Sequence, residues 1–174
     1  MICATPRSGS TLLCEALRQT GVAGYPDEYF GPMHVPRWRE QWDISGSRDY
    51  VCKVLEQGST SNGVFGVKIM NLYWAHFLNT LKQANYQKAP SEYKLISTVF
   101  PDLTYIWITR RNKIRQGVSW ARVMQGMPWI WQESKPYIPK KKPQFQFEVI
   151  DHFIAETVLH EAAWQEFFAR NEIK

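Results

Sequence analysis

Hydrophobic and polar positions alternate with two periods along this chain, and the switches between them mark its elements. Ile2 to Thr5 is a short apolar run of strand length, and Pro6 to Ser10 reads as a turn. Thr11 to Gln19 then sets Leu12, Leu13, Ala16 and Leu17 at helical spacing, with Gly21 just past the end. "VAGYPDEYFGPMHVP", Val22 to Pro36, is punctuated by proline and glycine and predicts an irregular loop over the surface. Pro36 to Ser61 is mostly polar apart from Trp38 and Trp42, with a weak helical pattern around Arg48 to Leu55. The turn Asn62-Gly63 launches a buried strand, Val64 to Ile69, and helices are predicted at Tyr73 to Gln83 and Ser91 to Val99. After the turn Pro101-Asp102, Leu103 to Thr109 is the best strand of the chain, β-rich and almost uncharged. Asn112 is placed to cap a following helix with a core stripe of Ile114, Val118 and Ala121. Lys135 to Phe147 is a Pro/Lys loop, and Glu148 to Phe168 is a long helix expected to bury Ile150, Ile154, Val158, Ala162 and Trp164.

Strands that alternate with helices are joined by crossovers, so the expected fold class is α/β, a mainly parallel sheet with helices on both faces. Ligands of such folds sit beyond the carboxyl ends of the strands. Arginine stands at two of those ends, Arg7 after the first strand and Arg110 with Arg111 after the third. No repeat is visible, and 174 residues suit a single domain. Met1 to Ala4 reads as a strand with little before it, and Arg170 to Lys174 ends where such a fold would begin another strand. The expectation is one domain over 1–174, cropped at both ends.

Composition narrows the class without choosing a ligand. With 44% hydrophobic and 21% charged residues the chain is that of a folded protein, and its net charge of +5 favours an anionic partner. Cys3, Cys14 and Cys52 are odd in number, widely spaced and without a C-x-x-C pair, so a disulfide framework and a zinc site are both disfavoured, and a reducing cytoplasm is the simplest setting. No apolar run approaches the roughly 18 residues of a membrane span. Nucleic-acid motifs are absent too.

The candidate chemistry lies in "ATPRSGSTLL", Ala4 to Leu13. It almost forms a nucleotide phosphate loop, but the Walker pattern needs a lysine after its second glycine, and here Ser10 follows the only glycine, Gly9. Ser8, Gly9, Ser10 and Thr11 open a helix whose first N–H groups lack partners and whose dipole is positive there, a natural seat for a phosphate-like anion. Arg7 adds a planar cation able to fork onto two anionic oxygens. An ordinary helix start beside a surface arginine remains the plainer reading of the loop alone. Arg110 and Ser119, nine residues apart on one strand-helix unit, are so spaced that they could grip a second phosphate, although alone the pair is unremarkable, since a helical serine usually faces water or bonds the preceding turn.

These segments resemble a known family. "TPRSGSTLL" is similar to the 5′-phosphosulfate loop of sulfotransferases that use 3′-phosphoadenosine-5′-phosphosulfate (PAPS), and "RRNKIRQGVSW" to their 3′-phosphate segment. "STLLCEALRQTGVAGYPDEYF", "NGVFGVKIM" and "QGVSWARVMQGMPWIW" resemble the bacterial trehalose 2-sulfotransferase-like family in particular. The resemblance implies a P-loop-like sulfotransferase fold and a sulfuryl transfer from PAPS to a hydroxyl of a small-molecule or glycolipid acceptor, trehalose-like, without a metal. It implies that Arg7, Ser8, Gly9, Ser10 and Thr11 cradle the 5′-phosphosulfate, that Arg110 with Ser119 holds the 3′-phosphate, and that Glu28 is the general base beside a catalytic Arg7. Asp27 stands where the resemblance leads one to expect glutamine, which puts two carboxylates side by side. His34, Trp120, Trp129, Trp131 and Lys140 to Lys142 are lesser candidates for the acceptor side. A PAPS-binding remnant without turnover and a P-loop kinase are the competing readings, and a homodimer stays open.

Overall fold

The computed structural model describes residues 1–84, 89–129 and 142–173. Its centre is a three-stranded, wholly parallel sheet in the order β2-β1-β3, formed by β1 (Ile2–Ala4), β2 (Lys68–Met70) and β3 (Ile106–Trp107). Around it lie α1 (Ser10–Gln19), α2 (Val35–Trp42), α3 (Ser47–Gly58), α4 (Trp74–Gln83), α5 (Glu92–Val99), α6 (Lys113–Met124) and α7 (Phe147–Arg170), with a 3-10 turn at Asn71–Tyr73. β1 is central in the sheet and buried throughout, as expected for a strand covered on both faces, and its carboxyl end feeds the loop that opens α1. The α/β class and parallel sheet follow the predicted alternation. None of the described helices is long and apolar enough to cross a membrane.

Both flanking strands are shorter than the sequence suggests. Val64 to Gly66 spend their hydrogen bonds elsewhere: Thr60 donates its N–H to the Val64 carbonyl, and Gly66 donates to Gly58. The ladder with β1 therefore begins near Val67, whose carbonyl accepts from Ile2, and the strand runs Lys68–Met70, not Val64 to Ile69. β3 pairs only at Ile2↔Ile106 and Cys3↔Trp107, because a ladder extends no further than its partner, and β1 is three residues long.

The buried faces of two helices also differ from expectation. On α7 the buried residues are Ile150, Thr157, Trp164 and Phe167, while Val158 is half exposed and Ala162 exposed. A row of i+4 steps drifts about 40° per step round a helix, whereas i+7 steps drift only about 20°, so Ile150, Thr157 and Trp164 hold one line and Val158 and Ala162 leave it. On α6, Ile114 is 67% exposed, Val118 is half-buried, and the buried face is Gln116, Gly117, Trp120, Ala121 and Val123. Packing against α7 selects that face: a Cβ on Gly117 would stand 2.7 Å from Ile154 and 3.0 Å from the Ile150 carbonyl. Trp164 of α7 donates its indole N–H to the Ala4 carbonyl at 3.0 Å and so ties the helix to the end of β1.

α2, which the polar pattern of Pro36 to Ser61 did not reveal, is held by aromatic packing. Trp38 stacks on Trp42 at 5.0 Å, and both lean on Tyr29 from the preceding loop. The main core gathers Tyr29, Phe30, Tyr50, Val54, Ile69, Phe77, Leu81, Phe100 and Trp164 around the sheet.

Candidate active site

The loop from Thr5 to Ser10 leaves β1 and turns sharply into α1. Ser8 donates its N–H to the Thr5 carbonyl, Arg7 takes a left-handed φ of 64°, and Gly9, at φ 100°, precedes the helix. No side chain caps α1, so the N–H groups of Gly9, Ser10, Thr11 and Leu12 have no intrahelical acceptor. Nothing lies within 4 Å of where a Gly9 Cβ would be, so an anion can approach the backbone there. The Ser8 hydroxyl is buried and has no hydrogen-bond partner among the described residues. A buried hydroxyl without a partner beside N–H groups lacking intrahelical acceptors is a donor set that an anion would satisfy. Ser10 is buried and Thr11 half-buried at the same helix start. From below, the fully buried Gln116 of α6 fixes the loop, donating to the Thr5 hydroxyl at 3.0 Å and the Pro6 carbonyl at 2.7 Å.

Arg7 is the hub of the second cluster. Its Nε donates to Ser119 Oγ at 3.0 Å, another guanidinium N–H donates to the Trp129 carbonyl, and the group lies 5.7 Å from the centroid of the Trp129 ring. Arg110 reaches within 3.5 Å of the Arg7 carbonyl. Arg7, Ser119, Arg122, Val123, Met127 and Pro128 line a cleft of about 140 Å³. Burial first, and then the neighbouring Arg110 cation, lower the Arg7 pKa from a value so high that it stays charged. Two guanidinium groups so close repel each other, and an anion between them would relieve that. Arg110 and Ser119 are thus brought together through Arg7.

The third cluster is centred on Glu28, in the loop before α2. Lys68 of β2, with its side chain only 4% exposed, donates to Glu28 Oε1 at 2.7 Å and also to the Thr11 hydroxyl at 3.1 Å. Tyr73 donates its hydroxyl to Glu28 Oε2, and His34 Nε2 lies 3.6 Å from that same oxygen. Burial alone would raise the Glu28 pKa, but bonding from His34, Lys68 and Tyr73 outweighs it and holds the carboxyl at about 2. The bond to Glu28 in turn raises the pKa of His34, and burial together with Glu28 raises that of Tyr73.

Asp27 occupies a different environment from its neighbour. It pairs with Arg18 at 3.1 Å in a half-exposed bridge and accepts the Glu28 backbone N–H at 2.7 Å. Trp120 is buried, stacked at 4.6 Å on Phe153 of α7, so it packs the interior and has no open face for an acceptor. Trp129 is half exposed, and Lys142 is exposed. Trp131, Lys140, Lys141 and most of the Lys135 to Phe147 loop lie outside the described residues. Among the described residues, no three His, Cys, Asp or Glu side chains gather as a metal site would require.

Sequence reasoning did not single out Lys68, Tyr73 or Gln116, nor Arg18 and Arg122, in these clusters. Lys68 did leave a signal, a lone lysine in the apolar run Val64 to Met70, since an interior strand holds a lysine only when it is paired. Tyr73 and Gln116 left none.

The family model of the Stf0 sulphotransferases matches residues 1–174. The chain is 28% identical to the trehalose 2-sulfotransferase of Mycolicibacterium smegmatis over 205 aligned positions, covering 100% of this chain and 74% of that protein. It is 27% identical to the trehalose 2-sulfotransferase of Mycobacterium tuberculosis over 201 positions, covering 99% of this chain and 73% of that protein.

Proposed function

The chain belongs to the Stf0 sulphotransferase family, and from that premise we propose that it transfers the sulfuryl group of PAPS to a hydroxyl of a carbohydrate or glycolipid acceptor, with trehalose the first to try. The observation that carries the donor half is the start of α1, where a buried, partnerless Ser8 hydroxyl adjoins unmet N–H groups and the Arg7 guanidinium. That donor set suits the oxygens of a 5′-phosphosulfate, and Arg110, which contacts the Arg7 carbonyl, with Ser119, which contacts the Arg7 guanidinium, would take the 3′-phosphate.

The acceptor oxygen would attack sulfur in line, forming the new O–S bond as the bond from sulfur to the bridging phosphate oxygen breaks. Adenosine 3′,5′-bisphosphate departs with the electron pair of that bond. Glu28 takes the acceptor's hydroxyl proton, and Arg7 with the N–H groups of α1 meets the charge growing on the leaving phosphate. Support for Glu28 over Asp27 comes from their partners: Asp27 is turned to Arg18, whereas one ammonium group, that of Lys68, separates Glu28 from Thr11 at the donor loop. Trehalose as acceptor is suggested by the two mycobacterial relatives.

Thermal shift tests the donor half, because a ligand that binds only the folded chain raises its melting temperature by mass action. Adenosine 3′,5′-bisphosphate is expected to stabilise the protein more than ATP with magnesium does. The reverse order would overturn the PAPS assignment in favour of a kinase. Labelled PAPS supplied with trehalose and related glycosides then tests the acceptor, and transfer to water alone would leave the chain without the proposed role.

A further inference from the structure

A carboxylate whose oxygens are both already engaged is poorly placed to receive another proton. Oε2 of Glu28 faces Tyr73 and His34, and Oε1 is held at 2.7 Å by Lys68. The same ammonium touches Thr11, whose backbone N–H belongs to the unmet set at the start of α1. Lys68 therefore stands between two anionic positions, one filled by a side chain and one offered to a ligand. Its cation cannot serve both at full strength.

We propose that Lys68 is a shared cation that passes from Glu28 to the bound donor, so that filling the loop at Thr11 frees Oε1 of Glu28 to take the acceptor's proton. The inference rests on the reading of this loop as the donor site. Before the donor binds, the ammonium neutralises a carboxylate in a buried setting and keeps it a weak base. Once a multiply charged anion lies at the helix start, it outcompetes a single carboxylate for the ammonium, because the attraction grows with charge. Glu28 loses a hydrogen bond and a cation while gaining an anionic neighbour, and each change raises its affinity for a proton. His34 and Tyr73 keep Oε2 in place, so the side chain does not swing away. A base armed only in the donor complex imposes an order, donor before acceptor.

Competition has a sign that simple screening lacks. The test is the affinity of adenosine 3′,5′-bisphosphate for the wild type, E28Q, K68M and E28Q/K68M, measured by titration calorimetry, with transfer assayed alongside. If Lys68 is shared, E28Q releases it to the ligand and tightens binding by the worth of a charge-assisted hydrogen bond, about ten- to hundredfold, and it tightens binding much less in the K68M background. If Lys68 merely screens Glu28, removing the carboxylate helps more in the K68M background, where its repulsion is bare. Equal or larger tightening in that background overturns the proposal. Failure of the bisphosphate to bind the wild type overturns the donor reading and this inference together, whereas binding with the inverted pattern overturns this inference alone. Should K68M not fold, K68Q replaces it. Should that fail too, a crystal structure of the wild type with bisphosphate decides: Lys68 Nζ moved off Oε1 of Glu28 and onto the phosphate supports the shared cation, and Nζ still bonded to Oε1 refutes it.

Discussion

Glu28→Gln should weaken the fold as well as the reaction, and the cost can be worked from the pair it breaks. At the observed 2.7 Å, the gross attraction between Lys68 and Glu28 in an effective dielectric of about 20 is roughly 6 kcal/mol, from which the desolvation of both groups must be subtracted. Glu28→Gln removes the charge facing an ammonium that is 4% exposed, leaving it only neutral acceptors, an amide oxygen and the Thr11 hydroxyl. Leaving one member of a buried pair without its counter-charge costs about 3–5 kcal/mol, whereas replacing both together is often close to neutral. For a chain of this length that single loss corresponds to a melting temperature lower by about 6–20 °C. Urea unfolding followed by the fluorescence of the eight tryptophans measures all four corners of the cycle. The pH dependence gives a second readout. Because the folded carboxyl is held at about 2, below its ordinary 4.5, its stabilisation is complete above pH 4.5 and is lost as the pH falls through 2, so Glu28→Gln should flatten the acid limb in that window. His34 has the opposite sign: its pKa is raised, so its contribution is present below 6.5 and fades as the pH climbs through the folded value. If E28Q/K68M loses as much as the two single variants summed, Lys68 and Glu28 are not coupled and the account of this cluster fails.

Arg7→Ala is expected to weaken binding of adenosine 3′,5′-bisphosphate by about ten- to hundredfold and to slow transfer further, since the guanidinium meets both the bound anion and the charge growing on it; unchanged affinity by calorimetry would refute the donor site. Arg110→Ala should erase the preference for a 3′-phosphate while leaving adenosine 5′-phosphosulfate bound nearly as before, and equal losses for both ligands would show that it acts on the fold through its contact with Arg7. Asp27→Asn removes a half-exposed bridge to Arg18, worth about 0–1 kcal/mol, so the transfer rate should change little, against roughly 10²- to 10⁴-fold for loss of a general base at Glu28; an Asp27 variant slower than Glu28→Gln would reverse their roles.

What the sequence disclosed depends on how far apart the deciding residues lie. The turn into α1 was legible because its meaning is local: a proline, a glycine and hydroxyl residues between a strand and an amphipathic run mark a helix start, and a helix start leaves its first N–H groups without intrahelical acceptors. Arg110 and Ser119 were legible as a pair on one strand-helix unit, but that both meet Arg7 could only be seen in three dimensions. Lys68 and Glu28 are forty residues apart, and nothing near either names the other. α2 escaped notice since its polar sequence is steadied by Trp38, Trp42 and Tyr29 meeting across a loop. Trp120 was open to either an acceptor-side or a packing role until α7 chose which face of α6 to cover, and the run Leu103 to Thr109 was cut to two paired residues by the length of β1, a limit set a hundred positions away.

The backbone of Arg7 carries an evolutionary consequence. Its left-handed φ of 64° costs an ordinary residue roughly 1–2 kcal/mol, a penalty glycine escapes at the expense of about 0.5–1 kcal/mol in chain entropy. The contacts of the Arg7 side chain with Ser119, the Trp129 carbonyl and the Trp129 ring offset part of that strain, and on the proposed donor role a bound anion would add to what keeps arginine there. If the proposed donor role holds, a duplicated copy released from it should exchange arginine here more readily than copies that keep it. On that reading, position 7 would separate copies that keep the ligand from copies that have lost it.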